Sequence, residues 1–286
     1  MIVDAHAHIF SHVCRKVAPP QYPEGRFPAE CLLREMDQAG VDRAVIVQNP
    51  TIGTINDEVR GATESWPERF AGAMQVDPLD PEAPEVIRRL ASPRMCALKL
   101  EMSEEWGWSG IHPGLRLDAA ALRPVWETVA ELDLRVIIDP GAIGNPGYQV
   151  EELDRLSDAY GDVSFLIEHL GYLQKPDRER PDARQRRLEL IVLAAKPNVY
   201  LGFSATAILL GEDFPCPEAR QLLREAVDLV GASKILWGSD VPLTLGRYSY
   251  RQMVDVVGSD ECGLSELDRG LILGGNAARL FFSSDK

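Results

Sequence analysis

The chain has 286 residues, 45% of them hydrophobic and 26% charged, with a formal net charge of −14. That composition fits a globular protein with a sizeable core and excludes global disorder. So acidic a chain repels phosphate backbones and anionic lipid, which argues against nucleic-acid and membrane partners. The longest apolar run, Leu190 to Ala195, falls far short of the roughly 20 residues that a bilayer span needs. The N-terminus shows no basic and apolar regions of a secretory leader. The five cysteines, Cys14, Cys31, Cys96, Cys216 and Cys262, form no CxxC pair, which reads as reduced thiols in a cytoplasmic protein.

Short β-branched runs alternate with helix-period segments along the whole chain. The runs are Ile2–His8, Arg43–Gln48, Phe70–Val76, Met95–Glu101, Leu134–Asp139, Val163–His169, Asn198–Phe203 and Lys234–Ser239. Between them, helical spacing marks Pro28–Ala39, Asn56–Ser65, Pro81–Leu90, Asp118–Leu132, Tyr148–Tyr160, Asp182–Ala195 and Pro217–Val230. A terminal set follows within Tyr248–Val257 and Ser265–Phe282. Asp118 and Ser265 read as helix start signals. Strand cores such as Ala44-Val45-Ile46-Val47 are continuously apolar, as expected of strands buried on both faces. Eight strand–helix units in a chain of this length predict a single-domain (β/α)8 TIM barrel over residues 1–286, with C-terminal helices. A doubly wound open sheet predicts a Gly-rich turn after the first strand; His6-Ala7-His8 stands there instead.

A barrel carries its chemistry at the C-terminal ends of its strands. Read in order, those ends supply His6 and His8, Gln48, Asp77, Lys99 and Glu101, Asp139, His169, Ser204 and Asp240. Strand alternation puts His6 and His8 on one face, toward the mouth. Two imidazoles joined by carboxylates from other strands are ligand chemistry for zinc, iron or manganese. A lone His-x-His is commonly two solvated histidines in a turn, and a lone aspartate at a strand end is commonly a helix cap. Three of the chain's five histidines and two aspartates falling together at strand ends is a far rarer coincidence, and it favours a catalytic mouth.

Four motifs in order, Asp4-Ala-His-Ala-His, Ile167-Glu-His-Leu-Gly, Trp237-Gly-Ser-Asp-Val-Pro and the closing Leu271-Ile-Leu-Gly-Gly-Asn-Ala-Ala-Arg-Leu-Phe, resemble the amidohydrolase superfamily. The last resembles its amidohydrolase-related branch, which includes aminocarboxymuconate-semialdehyde decarboxylase and 2-pyrone-4,6-dicarboxylate lactonase. The resemblance implies that His6 and His8 are metal ligands, Asp240 a ligand and proton shuttle, and His169 a catalytic residue. The chain departs from the pattern on the fifth strand, where metal-dependent members carry a histidine and this sequence reads Asp139-Pro140-Gly141. Asp139 is itself a competent ligand, so His6, His8, Asp139 and Asp240 form the expected set for a divalent metal, zinc first, with manganese or iron as alternatives. The metal-free lactonase group also lacks that histidine, so a metal-free site is the competing expectation.

Lys99 is expected to anchor a substrate carboxylate; the plainer reading pairs it with Glu101, two positions on. Glu101, His112 and Arg247 complete the expected substrate-binding set. Trp106, Trp108 and Tyr248 lie near them in sequence. The mixed-charge run Lys175–Arg187 reads as a solvated insertion or lid. The leading expectation is a metal-dependent hydrolase of a small, anionic, carboxylate-bearing lactone, ester or amide. The alternatives are a non-oxidative decarboxylase of an aromatic or enoic acid, a metal-free lactonase and, last, a non-catalytic barrel. A homo-oligomer is left open.

Overall fold

The computed structural model describes residues 1–283. Eight strands form one parallel sheet in chain order, as anticipated: β1 (Val3–Ala7), β2 (Arg43–Ile46), β3 (Phe70–Met74), β4 (Met95–Glu101), β5 (Arg135–Asp139), β6 (Phe165–Ile167), β7 (Val199–Phe203) and β8 (Ile235–Trp237). A helix follows each strand: Ala29–Ala39, Asn56–Ser65, Ala83–Leu90, Arg123–Glu131, Val150–Ala159, Pro181–Val192, Pro217–Val230 and Tyr250–Gly258. The arrangement is a (β/α)8 barrel. Each long helix buries one stripe against the sheet; Pro217–Val230, for example, buries Ala219, Leu222, Leu223 and Ala226. A second apolar cluster, with Ala5, Val45, Ala73, Ala97, Ile137 and Leu236, fills the barrel interior. Ala277, Phe281 and Phe282 of the terminal segment pack onto it. Among the described residues, no helix is long and apolar enough to cross a membrane.

The seam between β8 and β1 differs from the seven other junctions. Those pair as parallel ladders, whereas this one closes beyond the end of β8. There Asp240 N donates to His6 O at 2.8 Å, and His8 N donates to Val241 O at 2.7 Å. Asp4 adds a second tie: its carboxylate accepts from His6 N and Ser239 N, both at 2.9 Å, and from the hydroxyls of Ser239 and Tyr250. A bulge lies in β1, where three steps from Asp4 to Ala7 face two from Ala44 to Ile46. Such an extra residue re-aims side chains. Asp4 accordingly turns to Tyr250 on the outer helix while His6 and His8 face the mouth.

Three expectations need correction. β6 and β8 end earlier than the apolar pattern does, because the chain leaves the ladder where polar side chains must reach the mouth. His169, Leu170 and Asp240 there have φ of 60°, 48° and 59°, left-handed values that cost a non-glycine residue roughly 1–2 kcal/mol. Asp118 caps no helix; its carboxylate accepts from Arg155 Nε at 2.8 Å, and a short 3-10 turn over Ala120–Leu122 leads into the next helix. Ser265 does cap, accepting from Asp268 N at 3.1 Å. The run Lys175–Arg187 is mostly exposed, as expected of a solvated segment, but it is no separate insertion. It forms a 3-10 turn and the start of helix Pro181–Val192, with Arg187 buried and donating to Leu170 O.

Candidate active site

At the seam, His6 Nε2, His8 Nε2 and Asp240 Oδ1 converge, all within 4.8 Å of one another and all from buried residues. The two imidazole nitrogens are 3.3 Å apart, and Asp240 Oδ1 lies 3.0 Å from His8 Nε2 and 3.6 Å from His6 Nε2. The remaining ring nitrogens are held from behind. His8 Nδ1 donates to Val47 O at 2.9 Å, and His6 Nδ1 lies 3.1 Å from Glu168 Oε2. Glu168 Oε2 also accepts from Ser204 Oγ at 2.6 Å. Glycines make room for this packing: a side chain at Gly202 would run into the Glu168 carboxylate, and a Cβ on Gly238 would lie 2.7 Å from His6 Cβ.

These back contacts set the tautomers. With Nδ1 the protonated nitrogen of each neutral ring, both Nε2 lone pairs point at each other and at Asp240. Burial lowers the His6 pKa despite the nearby Glu168 and Asp240 charges, so His6 resists supplying the missing positive charge as imidazolium. Burial opposes the Asp240 carboxylate, and the charge of the nearby His169 is among the influences that favour it. Three electron-pair donors thus face one point, which is the arrangement a divalent cation satisfies. The residues fit a metal.

The opposite side of the mouth is organised by pairing. His169 Nε2 donates to Asp139 Oδ2 at 2.9 Å, and its Nδ1 lies 3.1 Å from Ser204 O. Burial disfavours the imidazolium, but the Asp139 charge and hydrogen bond prevail and push its pKa up to about 10. Burial likewise opposes the Asp139 carboxylate, and His169, Lys99 and the Gly141 amide (2.8 Å) more than compensate, holding it well below the usual range. Asp139 therefore stands with His169 and outside the three-atom group. Lys99 Nζ lies 3.5 Å from Glu101 Oε2, its side chain 1% exposed. Burial and the Asp139 charge push Glu101 up to about 7 against the pull of Lys99.

A cavity of about 100 Å³ opens onto both sides, lined by His6, His8, Glu101, Asp139, His169 and Asp240 at its base. Val17, Ile52, Trp106, Tyr172 and Leu243 line it higher up. Of the residues expected to bind substrate, Glu101 alone is in this lining. Lys99 sits beneath it on Glu101. His112 Nε2 is held by both oxygens of Asp77 at 2.8 and 2.9 Å, its ring stacked on Trp108. Arg247 turns to Gly211 O and Asp213. Glu168 escaped the sequence reading, although it sits inside a quoted motif. Its signal was an acid at the end of a strand with both faces buried, where an unpaired carboxylate is costly. Tyr172, in the turn beyond His169, gave no signal.

This barrel has relatives. An amidohydrolase family model matches residues 3–282, and the chain belongs to the amidohydrolase family. A protein of Pseudomonas putida named as a 2-pyrone-4,6-dicarboxylic acid hydrolase superposes with a TM-score of 0.75 at 22% identity, covering 100% of this chain and 98% of that one. An amidohydrolase of Burkholderia multivorans with bound zinc gives 0.78 at 18%, covering 98% and 99%. A dihydroxybenzoic acid decarboxylase of Polaromonas sp. JS666 with bound manganese and 2-nitroresorcinol gives 0.68 at 19%, covering 98% and 96%. At these identities the likeness shows the fold. No curated protein matches the sequence.

Proposed function

We propose that the protein is a metal-dependent hydrolase that opens a lactone, ester or amide with water. The observation that carries the reading is the convergence of His6 Nε2, His8 Nε2 and Asp240 Oδ1 beside a second, charge-paired acid–base couple, His169–Asp139, in one cavity. A divalent cation, zinc first by the donor set, supplies Lewis acidity there and brings the pKa of water from 15.7 toward about 7. His6 and His8 hold it as neutral ligands, oriented by Glu168 and Val47 O. Asp240, at the cavity base, takes the proton of the attacking water and returns it to the leaving oxygen or nitrogen. His169 stays cationic, and its charge stabilises the substrate carbonyl oxygen as negative charge grows on it. Asp139 fixes the ring for that task and keeps it protonated.

The test is metal analysis of protein purified without added metal, followed by single turnovers of a lactone panel in H2(18)O. The expected result is near-stoichiometric metal, turnover lost on chelation, and one 18O atom in each product carboxylate. Carbon dioxide release without 18O incorporation would make the enzyme a decarboxylase. Turnover that survives complete removal of metal would make it a metal-free lactonase.

A further inference from the structure

We propose that the substrate of this site has an apolar ring body and carries at most one carboxylate, so that dicarboxylates are excluded. The inference rests on the hydrolase reading for its reaction and on the cation placement around the mouth for its substrate class.

A dicarboxylate needs two cationic receivers, one for each end. The metal site supplies one. Among the described residues, the cavity lining holds no lysine or arginine, and several nearby basic side chains are held by acids. Lys99 Nζ is buried outside the lining, 3.5 Å from Glu101 Oε2 and without a hydrogen-bond partner, so a substrate would have to pass that acid to reach it. His112 is held by both oxygens of Asp77, and Arg247 by Asp213. In the basic run after β6, Arg178 pairs with Glu218, Arg180 with Asp177 and Asp182, Arg186 with Glu151 and Glu189, and Arg187 with Glu225, while Lys175 and Arg184 are absent from the cavity lining. His169, the imidazolium in the lining, is neutralised by Asp139. Exposed Lys16 lies 5.4 Å from the Trp106 ring centroid, over its face, where its charge serves the ring.

What the cavity presents instead is acid below and apolar surface above. Glu101, Asp139 and Asp240 line the base, and carboxylates, as acceptors, offer no hydrogen-bond donor to a second free carboxylate. Val17, Ile52 and Leu243, with the Trp106 and Tyr172 rings, offer apolar contact to a ring. Tyr172 is set edge-on to His169, with centroids 5.3 Å apart, so that a ring lying on it has its carbonyl directed toward the base.

The experiment measures binding separately from turnover, by quenching of Trp106 fluorescence in the full-length, zinc-loaded protein. Trp106→Phe serves as the signal control. The probes are dihydrocoumarin, a monocarboxylated dihydrocoumarin and 2-pyrone-4,6-dicarboxylate. The expected result is that the first two bind at least tenfold tighter than the third. Leu243→Arg, at a rim position 43% exposed, narrows that gap at least tenfold by placing a cation where the ring now sits. Dicarboxylate binding as tight as that of the neutral lactone overturns the proposal, as does binding of none of the three. Dicarboxylate binding that is lost in Lys16→Met overturns it as well, by showing that Lys16 receives the second carboxylate. Selective binding of the uncharged lactone with no hydrolysis of any lactone would sink the hydrolase reading while leaving the substrate class standing.

Discussion

The two halves of the barrel mouth use the same residue types to opposite ends. On the β4–β6 side, two of the buried acids have a cation of the protein beside them, Lys99 by Glu101 and His169 by Asp139. On the β8–β1 side, Asp240 faces the Nε2 atoms of two imidazoles whose other ring nitrogens turn backward, toward Val47 O and Glu168. The first half carries counter-charges of its own; the second presents three donor atoms that an external cation would satisfy. The comparison teaches that ligand capacity lies less in the number of histidines and carboxylates than in where their protons have been sent.

The largest effect should come from the β8–β1 half. His8→Ala removes one of three donors, so bound zinc should fall to near zero and kcat by at least about 10³, read by elemental analysis and a lactone assay on the same sample. In the paired half, Asp139→Asn should retain zinc while kcat falls by about 10² to 10⁴, because His169 loses its orienting charge and much of its proton. Loss of zinc in that variant would break the comparison and make Asp139 a fourth ligand. Glu168→Gln probes the back contact of His6. Zinc affinity should drop by about 10- to 100-fold, measured by competition with a chromophoric chelator, with the fold intact by circular dichroism.

The smallest effect is on stability against pH, in the metal-stripped protein. The folded pKa of His169 is raised from 6.5 to about 10. Its contribution is therefore fully present below pH 6.5 and fades as pH rises through that window toward 10. Urea midpoints of wild type and Asp139→Asn should converge over this range; a constant difference up to pH 10 would show that the pair carries no proton-linked stability.

The barrel was readable because strands and helices alternate in kind as well as in order. Met95–Glu101, Asn56–Ser65 and Pro217–Val230 fall on their expected residues, each bounded by a clear change of periodicity. β6 and β8 were read too long, because apolar residues continue up to the point where the backbone turns left-handed, and periodicity carries no sign of φ. At the site, His6, His8, His169 and Asp240 were legible from strand ends alone and do converge. The cations were less so. Lys99 allowed two readings, and the structure places it on Glu101. His112 and Arg247 looked available because the acids that hold them, Asp77 and Asp213, lie 35 and 34 positions away. Such long-range pairing leaves no local pattern. Glu168 was overlooked for the opposite reason: beside so conspicuous a histidine, an acid reads as solvent-facing.

The closing seam has a consequence for the molecule as a whole. β1 and β8 are the first and last strands, and they meet through the amides of His8 and Asp240 and the carboxylate of Asp4 in place of a full ladder. Two of the three donors to the cation come from the first strand and its end, and the third from the turn after the last. An ion bound there is a cross-link between chain segments more than 230 residues apart, so occupancy and barrel closure form a single linked equilibrium. Binding then raises folding stability by RT ln(1 + [M]/Kd). Metal supply would govern how much of this protein persists in the cell as well as how fast it works.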